Sequence, residues 1–196
     1  MQLYVTLTSP YARLARIMVL EKWLGDRVEI VVAKTRMRDS PYYRINPSGR
    51  VPYLVDDAGI GMEDSQNICA YLDGLDGKPR FHPQREDWDH QRLEARARSM
   101  CDGIAVWARE MARPESERSP TTLAHETART DRLADLFDRD VIHPLLQGPP
   151  LMAHLVLAVA VEFALKRGLG DLKAGRPKLA TWIEPISALP SMRATA

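Results

Sequence analysis

The sequence predicts an α/β domain followed by an all-α helical bundle, and three observations lead to this fold class. The first third of the chain alternates between short β-rich runs and segments of helical spacing. A polar stretch with two prolines and no periodicity then interrupts this pattern. Beyond it, apolar residues recur at steps of three and four over long distances. We therefore predict an α/β domain at 1–77, a linker at 78–86 and a helical domain at 87–196.

The chain begins with a predicted strand–helix–strand unit. The hexamer QLYVTL is β-rich, and the Thr-Ser-Pro that follows it favours a turn. Across 10–24 the apolar residues fall at helical spacing, and Gly25-Asp26 provides a C-terminal stop. The run VEIVV at 28–32 is a second strand. Elements in this order predict a parallel pair of strands with a right-handed crossover.

The next elements are predicted as strand, strand and helix. The basic segment AKTRMRDSPYYRINPSGR contains two prolines and predicts an irregular connection. The run VPYLV is a strand, and DDAGIG has the composition of a hairpin turn. Asp64 or Ser65 then caps a helix whose apolar face carries Ile68, Leu72 and Leu75. The first domain is thus predicted to be βαβ-ββα.

The rest of the chain is predicted to be helical. Long amphipathic helices are indicated at 93–111 and 123–141. The segment that starts at Leu151 is apolar on nearly all sides, which is typical of a helix in the middle of a bundle. Helical spacing continues near the end of the chain, at Leu179, Trp182 and Ile186.

Composition and charge exclude several classes of function. A net charge of +1 provides no field that would attract nucleic acid or an anionic membrane. Cys69 and Cys101 imply no disulfide framework, and the 5 histidines lack metal-ligand spacing, so we expect no metal. No signal peptide is visible, and His154 and Glu162 interrupt the longest apolar stretch, which makes it unsuited to spanning a bilayer. A cytoplasmic protein is the simplest interpretation.

Three motifs of the first domain carry a resemblance to a known family. They are TSPYARLAR, NPSGRVPYLV and EDSQNICAYLD, and the last two follow each other at a specific interval. In the second domain, MARPE and the closing PKLATWIEPISALPSMRAT add to it. Over nearly its whole length the chain resembles the cytosolic glutathione S-transferases, in particular bacterial members of the serine type. The resemblance implies a thioredoxin-like first domain, glutathione as cosubstrate, no metal, and a cytoplasmic homodimer with a role in detoxification.

The chain departs from the family pattern where the core helix of the second domain begins. Family members usually carry Ser or Thr there, with Asp three residues later. The corresponding positions here are Leu151 and His154, so the sequence predicts that this capping box is missing.

Ser9 and Pro10 begin the first helix directly after the first strand. From the residues alone they are an N-cap and a proline at N1, a common way to start a helix. The resemblance implies a catalytic role as well, in which the Ser9 hydroxyl donates to the sulfur of glutathione and stabilises its thiolate. The helix N-terminus adds positive partial charge. Thr8, or a backbone N–H, is the alternative partner for the sulfur.

The resemblance also assigns residues that bind the rest of glutathione. In the thioredoxin-like fold the proline that corresponds to Pro52 follows a cis bond, and Val51 pairs with the cysteinyl unit through its main chain. Ser65 and the helix N–H groups receive the γ-glutamyl carboxylate, while Asp64 faces the α-ammonium. Arg50 is the first candidate for the glycyl carboxylate. The alternatives in the preceding loop are Lys34, Arg36 and Arg38.

A pocket for the second substrate is assigned to apolar and aromatic side chains of both domains. Its candidates are Tyr11, Met100, Ile104 and Trp107. Met and Ile at helical spacing are usually core residues, so burial is the competing interpretation for this set.

The resemblance implies that the chain is an enzyme, a glutathione transferase that helps to ionise the thiol for attack on a small, largely apolar electrophile. Two other functions stay open. One is a non-catalytic binding or docking protein, because a fold does not determine function. The other is a glutathione-dependent isomerase or reductase, although reduction through a mixed disulfide would require a cysteine near Ser9. No nucleic acid or membrane partner is expected.

Overall fold

The computed structural model describes residues 1–82 and 88–196, which form two compact units. One unit contains Met1–His82 together with Pro190–Ala196, and the other extends to Leu189. The first unit holds a four-stranded sheet with helices, and the described part of the second is helical. The predicted fold class, an α/β domain followed by a helical one, is confirmed.

The elements follow the predicted order. The strands are β1 (Gln2–Val5), β2 (Glu29–Val32), β3 (Tyr53–Val55) and β4 (Gly61–Met62). The first unit also contains α1 (Pro10–Glu21), α2 (Ser65–Gly74) and a 3-10 helix at Pro41–Arg44. The second unit contains α3 (Trp88–Met111), a 3-10 helix at Glu115–Glu117, α4 (Pro120–Asp140), α5 (Pro144–Gln147), α6 (Met152–Lys166) and α7 (Pro177–Ser187). Helix α8 (Pro190–Ala194) belongs to the first unit again.

The sheet has the strand order β2-β1-β3-β4. β1 and β2 are parallel, as the strand–helix–strand unit predicts, whereas β3 runs antiparallel to β1 and β4 antiparallel to β3. Leu3, Val5 and Leu54 are completely buried, and so are Ile17 of α1 and Ile68 of α2. The two helices also pack against each other, so the core of this unit combines the sheet with the helix pair.

The first strand is shorter than the sequence predicts. β1 ends at Val5, because a turn closed by a 3.3 Å bond from the Ser9 N–H to the Thr6 carbonyl starts directly after it. Leu7, which the β-rich pattern includes, is exposed. The turn rather than the strand therefore delivers Ser9 to the start of α1.

Helix α1 also ends before the apolar pattern does. Its last residue is Glu21, and Trp23 adopts a positive φ of 52°. The chain then folds back, so that the Leu24 N–H donates to the Val19 carbonyl at 2.8 Å. Leu24 is buried through this terminal turn, which explains why its spacing looks helical.

The end of the chain packs on α1 through two arginines. Arg13, which is buried, donates to the Met192 carbonyl at 2.9 Å and to the Thr195 hydroxyl at 3.3 Å. Arg16 donates to the Thr195 carbonyl at 3.2 Å. Burial, and then repulsion by Arg13, lowers the pKa of Arg16. Residues 190–196, which the predicted boundaries assign to the helical domain, thus group with the first unit, and the limits themselves stay a prediction.

The predicted linker at 78–86 falls partly outside the described residues, and its described part is anchored by Asp73. This buried carboxylate accepts the N–H groups of Arg80, Phe81 and His82 at 2.9, 2.8 and 2.8 Å. Burial alone would raise the pKa of Asp73, but hydrogen bonds from the His82 ring and from these N–H groups outweigh it and hold the pKa well below its usual range. The chain after α2 is therefore bound to that helix by one charged group.

The helical unit confirms the long amphipathic helices α3 and α4 and the buried helix α6. Every residue of α6 from Met152 to Val161 is buried, and α3 packs against both α4 and α6. In the described ranges, no helix is both long and apolar enough to cross a bilayer.

The start of α6 corrects the prediction that its capping box is missing. His154 Nδ1 accepts the Leu151 N–H at 3.0 Å, which is the return bond of a capping box. The buried His154 ring stacks on Trp182 with ring centroids 5.4 Å apart. Burial is the main cause that lowers the pKa of His154 to about 4, so the neutral ring keeps Nδ1 as an acceptor. Leucine has no side-chain acceptor, so only this half of the box is present.

Candidate functional site

The register of the sheet brings the predicted motifs to one edge. Tyr4 pairs with Tyr53 and Leu54 pairs with Met62, so the carboxyl ends of β1 and β4 lie beside the amino end of β3. The segments that adjoin these strand ends carry the residues predicted to bind glutathione: Ser9, Val51, Pro52, Asp64 and Ser65. Residues far apart in the sequence are thus placed along the same edge of the sheet.

Ser9 is the N-cap of α1, and its hydroxyl can still donate. Its backbone is extended, with φ −85° and ψ 124°, and its Oγ accepts the Ala12 N–H at 3.2 Å. Pro10 follows at N1, where the missing N–H costs no hydrogen bond. Within the described residues the Ser9 hydroxyl proton has no acceptor. A half-buried hydroxyl at a helix N-terminus suits a thiolate, whereas the alternative residue, Thr8, is exposed.

The Val51–Pro52 bond is cis, as the resemblance implies. Pro52 is buried, and Val51 is half-buried. Across residues 1–82 and 88–196, no hydrogen bond involves the backbone N–H or C=O of Val51. Both groups are therefore available to a peptide that lies along this edge of the sheet as an added strand would.

Asp64 caps α2 from a strained backbone conformation. Its φ of 71° with ψ of 124° is rare for any residue except glycine. Its Oδ1 accepts the Gln66 N–H at 2.7 Å, while the side chain as a whole is exposed. Ser65 is the first residue of α2 and is buried. The arrangement can receive a carboxylate at the helix N-terminus and an ammonium group at Asp64.

The cations assigned to the glycyl carboxylate are all exposed. They are Arg50, Lys34, Arg36 and Arg38, and none of the four takes part in an ion pair between described residues. Arg50 differs from the others because it directly precedes Val51, so its side chain leaves the backbone next to the predicted peptide-binding groups.

The residues predicted to line a pocket for the second substrate differ in exposure. Met100 and Ile104 have 0% exposure, which favours the competing interpretation as core residues, and their assignment to a substrate pocket stays a prediction. Their helical spacing is explained by the buried face of α3. Tyr11 and Trp107 are each half-buried, the first in the α/β unit and the second in the helical unit.

A group of polar residues behind Arg50 is not predicted by the sequence. The Ser48 hydroxyl donates to the Glu63 carboxylate and accepts the Arg50 N–H at 3.2 Å. Asn46 Oδ1 accepts the Ser48 N–H at 3.0 Å, and Tyr42 donates to the Arg50 carbonyl at 2.5 Å. The Asn-Pro-x-Gly composition could have indicated the Asn46 bond, because Asn in a turn bonds its own backbone two residues on. Tyr42 offered no such signal, since a single 3-10 turn has no period.

A separate cavity of about 780 Å³ lies within the helical unit. Leu146, His154 and Trp182 contribute to its mostly apolar lining, and none of the predicted site residues does. Among the residues that the structure describes, no three or more His, Cys, Asp or Glu side chains form a group that could hold a metal ion. Cys69 and Cys101 are both buried, and no disulfide joins them.

Comparison with known proteins agrees with the fold described above. Residues 3–80 match the family model described as "Glutathione S-transferase, N-terminal domain". The chain is 27% identical over 199 aligned positions to the "Uncharacterized GST-like protein YibF" of Escherichia coli (strain K12), covering 100% of this chain and 98% of that protein.

Two solved structures illustrate the structural similarity. A glutathione transferase family member from Pseudomonas fluorescens Pf-5, solved with bound S-(propanoic acid)-glutathione, is 27% identical with a TM-score of 0.83, covering 100% of this chain and 98% of that one. A glutathione S-transferase from Methylobacillus flagellatus KT, solved with glutathione bound, has a TM-score of 0.86 at 24% identity and the same two coverages, 100% and 98%. At 24% identity, the similarity to the Methylobacillus flagellatus protein shows a shared fold only. The chain therefore has the glutathione S-transferase fold, with a thioredoxin-like first domain that matches the N-terminal domain model of that family.

Proposed function

We propose that this chain is a serine-type glutathione S-transferase that conjugates glutathione to a small, largely apolar electrophile. The observation that carries the proposal is the register of β1, β3 and β4, which brings the three segments that we propose to bind glutathione to one edge of the sheet. A fold alone would not require a donor hydroxyl, unpaired backbone groups and a helix N-terminus at the same edge.

Each of the three residues of glutathione is bound by a different part of the chain. The Val51 N–H and C=O pair with the cysteinyl unit in the manner of an added strand. The N-terminus of α2 with Ser65 receives the γ-glutamyl carboxylate, and the Asp64 carboxylate faces the α-ammonium. Arg50 pairs with the glycyl carboxylate, because a guanidinium matches the geometry of a carboxylate. The sulfur then lies towards Ser9.

The chemistry depends on lowering the pKa of the glutathione thiol. A free thiol with a pKa of about 8.5 is mostly protonated at neutral pH. The Ser9 hydroxyl donates to the sulfur, and the positive end of α1 lies behind it, so the thiolate is favoured and its proton passes to solvent. The sulfur uses a lone pair to form a bond to the electrophilic carbon. The leaving group departs with its electron pair, or, for addition to a double bond, the new carbanion takes a proton from water. Ser9 is not the nucleophile.

The conjugate bound by the Pseudomonas fluorescens relative supports this reaction class, since S-(propanoic acid)-glutathione carries a carbon substituent on the sulfur. A symmetric homodimer, a cytoplasmic location and a role in detoxification belong to the same proposal. They rest on the family resemblance, and symmetric dimers are the commonest assembly. Static light scattering at high protein concentration tests the dimer, which a purely monomeric mass would contradict.

One pair of measurements separates the proposed enzyme from a non-catalytic binding protein. We expect the protein to be retained on immobilised glutathione and to conjugate a chlorodinitrobenzene with release of chloride. Retention without turnover across a panel of electrophiles would favour a non-catalytic binding domain. Absence of both would contradict the proposed site as a whole. Reductase activity is disfavoured because a serine stands where a thiol would have to form the mixed disulfide.

A further inference from the structure

Two buried side chains donate hydrogen bonds to the carbonyl oxygen of Arg50. The Tyr42 hydroxyl donates to it at 2.5 Å, and Asn46 Nδ2 donates to it at 3.1 Å. Tyr42 is 4% exposed and Asn46 1% exposed, so neither donor competes with bulk water. A carbonyl oxygen has two lone pairs, and both are used here. We call this pair of donors the Arg50 clamp.

The clamp determines where the next N–H points. The Arg50–Val51 peptide bond is not among the cis bonds of the chain, and in a trans peptide the C=O and the following N–H point in opposite directions. With the Arg50 carbonyl held inside by Tyr42 and Asn46, the Val51 N–H is directed to the opposite side. That N–H has no acceptor among the described residues. The clamp thus presents an unpaired donor at the sheet edge.

The Tyr42 hydroxyl remains a donor at all physiological pH values. Burial is the main cause that raises its pKa to about 12; the Asn46 hydrogen bond acts in the opposite direction, and Glu63, Tyr53 and Tyr4 nearby add to the increase. The Tyr42 ring also contacts Tyr4 of β1, with ring centroids 5.6 Å apart. The Tyr42 ring therefore packs against β1, the strand that precedes Ser9 in the chain.

Asn46 is fixed by its own turn. Its carbonyl accepts the Gly49 N–H at 3.0 Å and its Oδ1 accepts the Ser48 N–H at 3.0 Å, which leaves the amide nitrogen to point at Arg50. Gly49 has a φ of 67°, and a Cβ there would lie 2.7 Å from the Tyr43 ring. The tight turn that ends at Gly49 is what places the second donor of the clamp.

We propose that Tyr42 and Asn46 are positioning residues that aim the Val51 N–H at the cysteinyl carbonyl of bound glutathione, so that they set the affinity for the peptide rather than the chemistry of its thiol. This inference rests on the proposed function. It goes beyond it by assigning a role to two buried residues that are not among the proposed contacts of glutathione.

The test compares Tyr42→Phe with the matched control Tyr43→Phe. Loss of one hydrogen bond to the carbonyl is expected to raise the dissociation constant and the KM for glutathione by about fivefold in Tyr42→Phe. The kcat at saturating glutathione is expected to stay within about twofold of the wild type, because Ser9 is untouched. Tyr43→Phe is expected to change neither quantity. S-methylglutathione, which has no ionisable thiol, is expected to lose affinity for Tyr42→Phe by the same factor.

A second measurement separates positioning from loss of folded protein. The Val51 amide signal in a nitrogen-15 NMR spectrum is expected to shift on addition of S-methylglutathione in the wild type, and to shift less in folded Tyr42→Phe at the same ligand concentration. Wild-type binding with an unchanged dissociation constant for Tyr42→Phe overturns the positioning role alone. A kcat that falls as much as kcat/KM also overturns it. Absence of wild-type binding to both peptides overturns the proposed function, and the inference with it.

Discussion

Ser9 and Ser119 adopt the same cap geometry in two different units. Ser9 has φ −85° and ψ 124° and binds the Ala12 N–H at 3.2 Å, while Ser119 has φ −82° and ψ 111° and binds the Thr122 N–H at 3.2 Å. Each is followed by proline at N1. The chain therefore uses a Ser-Pro pair to start more than one helix. Ser9 differs from Ser119 in its position, because it follows β1 at the sheet edge near Val51.

Replacing Asp64 by glycine is expected to relieve backbone strain and to weaken glutathione binding. The φ of 71° costs a non-glycine residue about 1–3 kcal/mol, whereas glycine at an N-cap loses only a few tenths of a kcal/mol of capping. The free energy of unfolding of Asp64→Gly should thus stay equal or rise, while the dissociation constant for glutathione rises about tenfold. Chemical denaturation and calorimetric titration measure the two effects.

Trp23→Gly is the matched control for that variant. Trp23 has a φ of 52° and is 92% exposed at the end of α1, so glycine should raise the free energy of unfolding by about 1 kcal/mol with no change in glutathione affinity. Equal affinities for Asp64→Gly and the wild type would remove Asp64 from the proposed site.

Arg50→Gln is expected to raise the KM for glutathione by about three- to tenfold, with kcat nearly unchanged. The guanidinium is exposed, so an ion pair with the glycyl carboxylate contributes about 1 kcal/mol and should weaken as salt increases. Steady-state kinetics at low and high ionic strength check both points. If Arg36→Gln or Arg38→Gln shows this behaviour and Arg50→Gln does not, the cation has been assigned to the wrong residue.

Asp73→Ala is expected to lower the free energy of unfolding by about 3–5 kcal/mol, because three N–H groups and Lys22, 3.4 Å away, lose a buried acceptor. Asp76→Ala, which removes an exposed carboxylate 2.9 Å from the same Lys22, is the control and should lower the free energy of unfolding far less than Asp73→Ala does.

The Asp73 contribution also has a defined pH dependence. The folded-state pKa lies below the unfolded value of about 3.9, so its stabilisation is complete above pH 4 and is lost as the pH falls towards the folded pKa. The difference in unfolding free energy between wild type and Asp73→Ala should therefore shrink between about pH 4 and pH 2. A difference that stays constant over this range would contradict the charged-acceptor account.

His154 is expected to make the wild type less stable as the pH falls from about 6.5 to 4. Its folded-state pKa of about 4 lies below the unfolded value of about 6.5, so the unfolded chain binds the proton first. The decrease should approach about 1.4 kcal/mol per pH unit and level off below pH 4. His154→Gln should lack it, whereas the exposed control His125→Gln should keep it. An unchanged profile in His154→Gln would show that other groups cause the decrease.

The sequence predicts most of the first unit because its signals are local. Ser9-Pro10 marks the start of α1, and alternating runs give the order of strands and helices. The helical unit is predicted from spacing, but spacing cannot distinguish the lining of a pocket from a core, and the structure buries both Met100 and Ile104.

What the sequence does not predict depends on contacts between distant residues or on atypical chemistry. In the Arg50 clamp a buried tyrosine donates to a carbonyl eight residues later, and no periodic pattern in the sequence indicates this hydrogen bond. The half capping box at α6 uses a histidine, which is neutral there only because burial lowers its pKa. The packing of Arg13 on Thr195 links residues 182 positions apart.

The pKa of the glutathione thiol in the bound state, followed by the ultraviolet absorbance of the thiolate during a pH titration, tests the central claim most directly. Ser9→Ala and Ser119→Ala remove equivalent caps, so both should lose about 0.5–2 kcal/mol of stability. We expect only Ser9→Ala to raise the bound thiol pKa and to lower turnover by about ten- to a hundredfold, with glutathione still bound. An unchanged thiol pKa and full turnover in Ser9→Ala would contradict the account. If Thr8→Ala instead raises the thiol pKa and lowers turnover, the role belongs to Thr8.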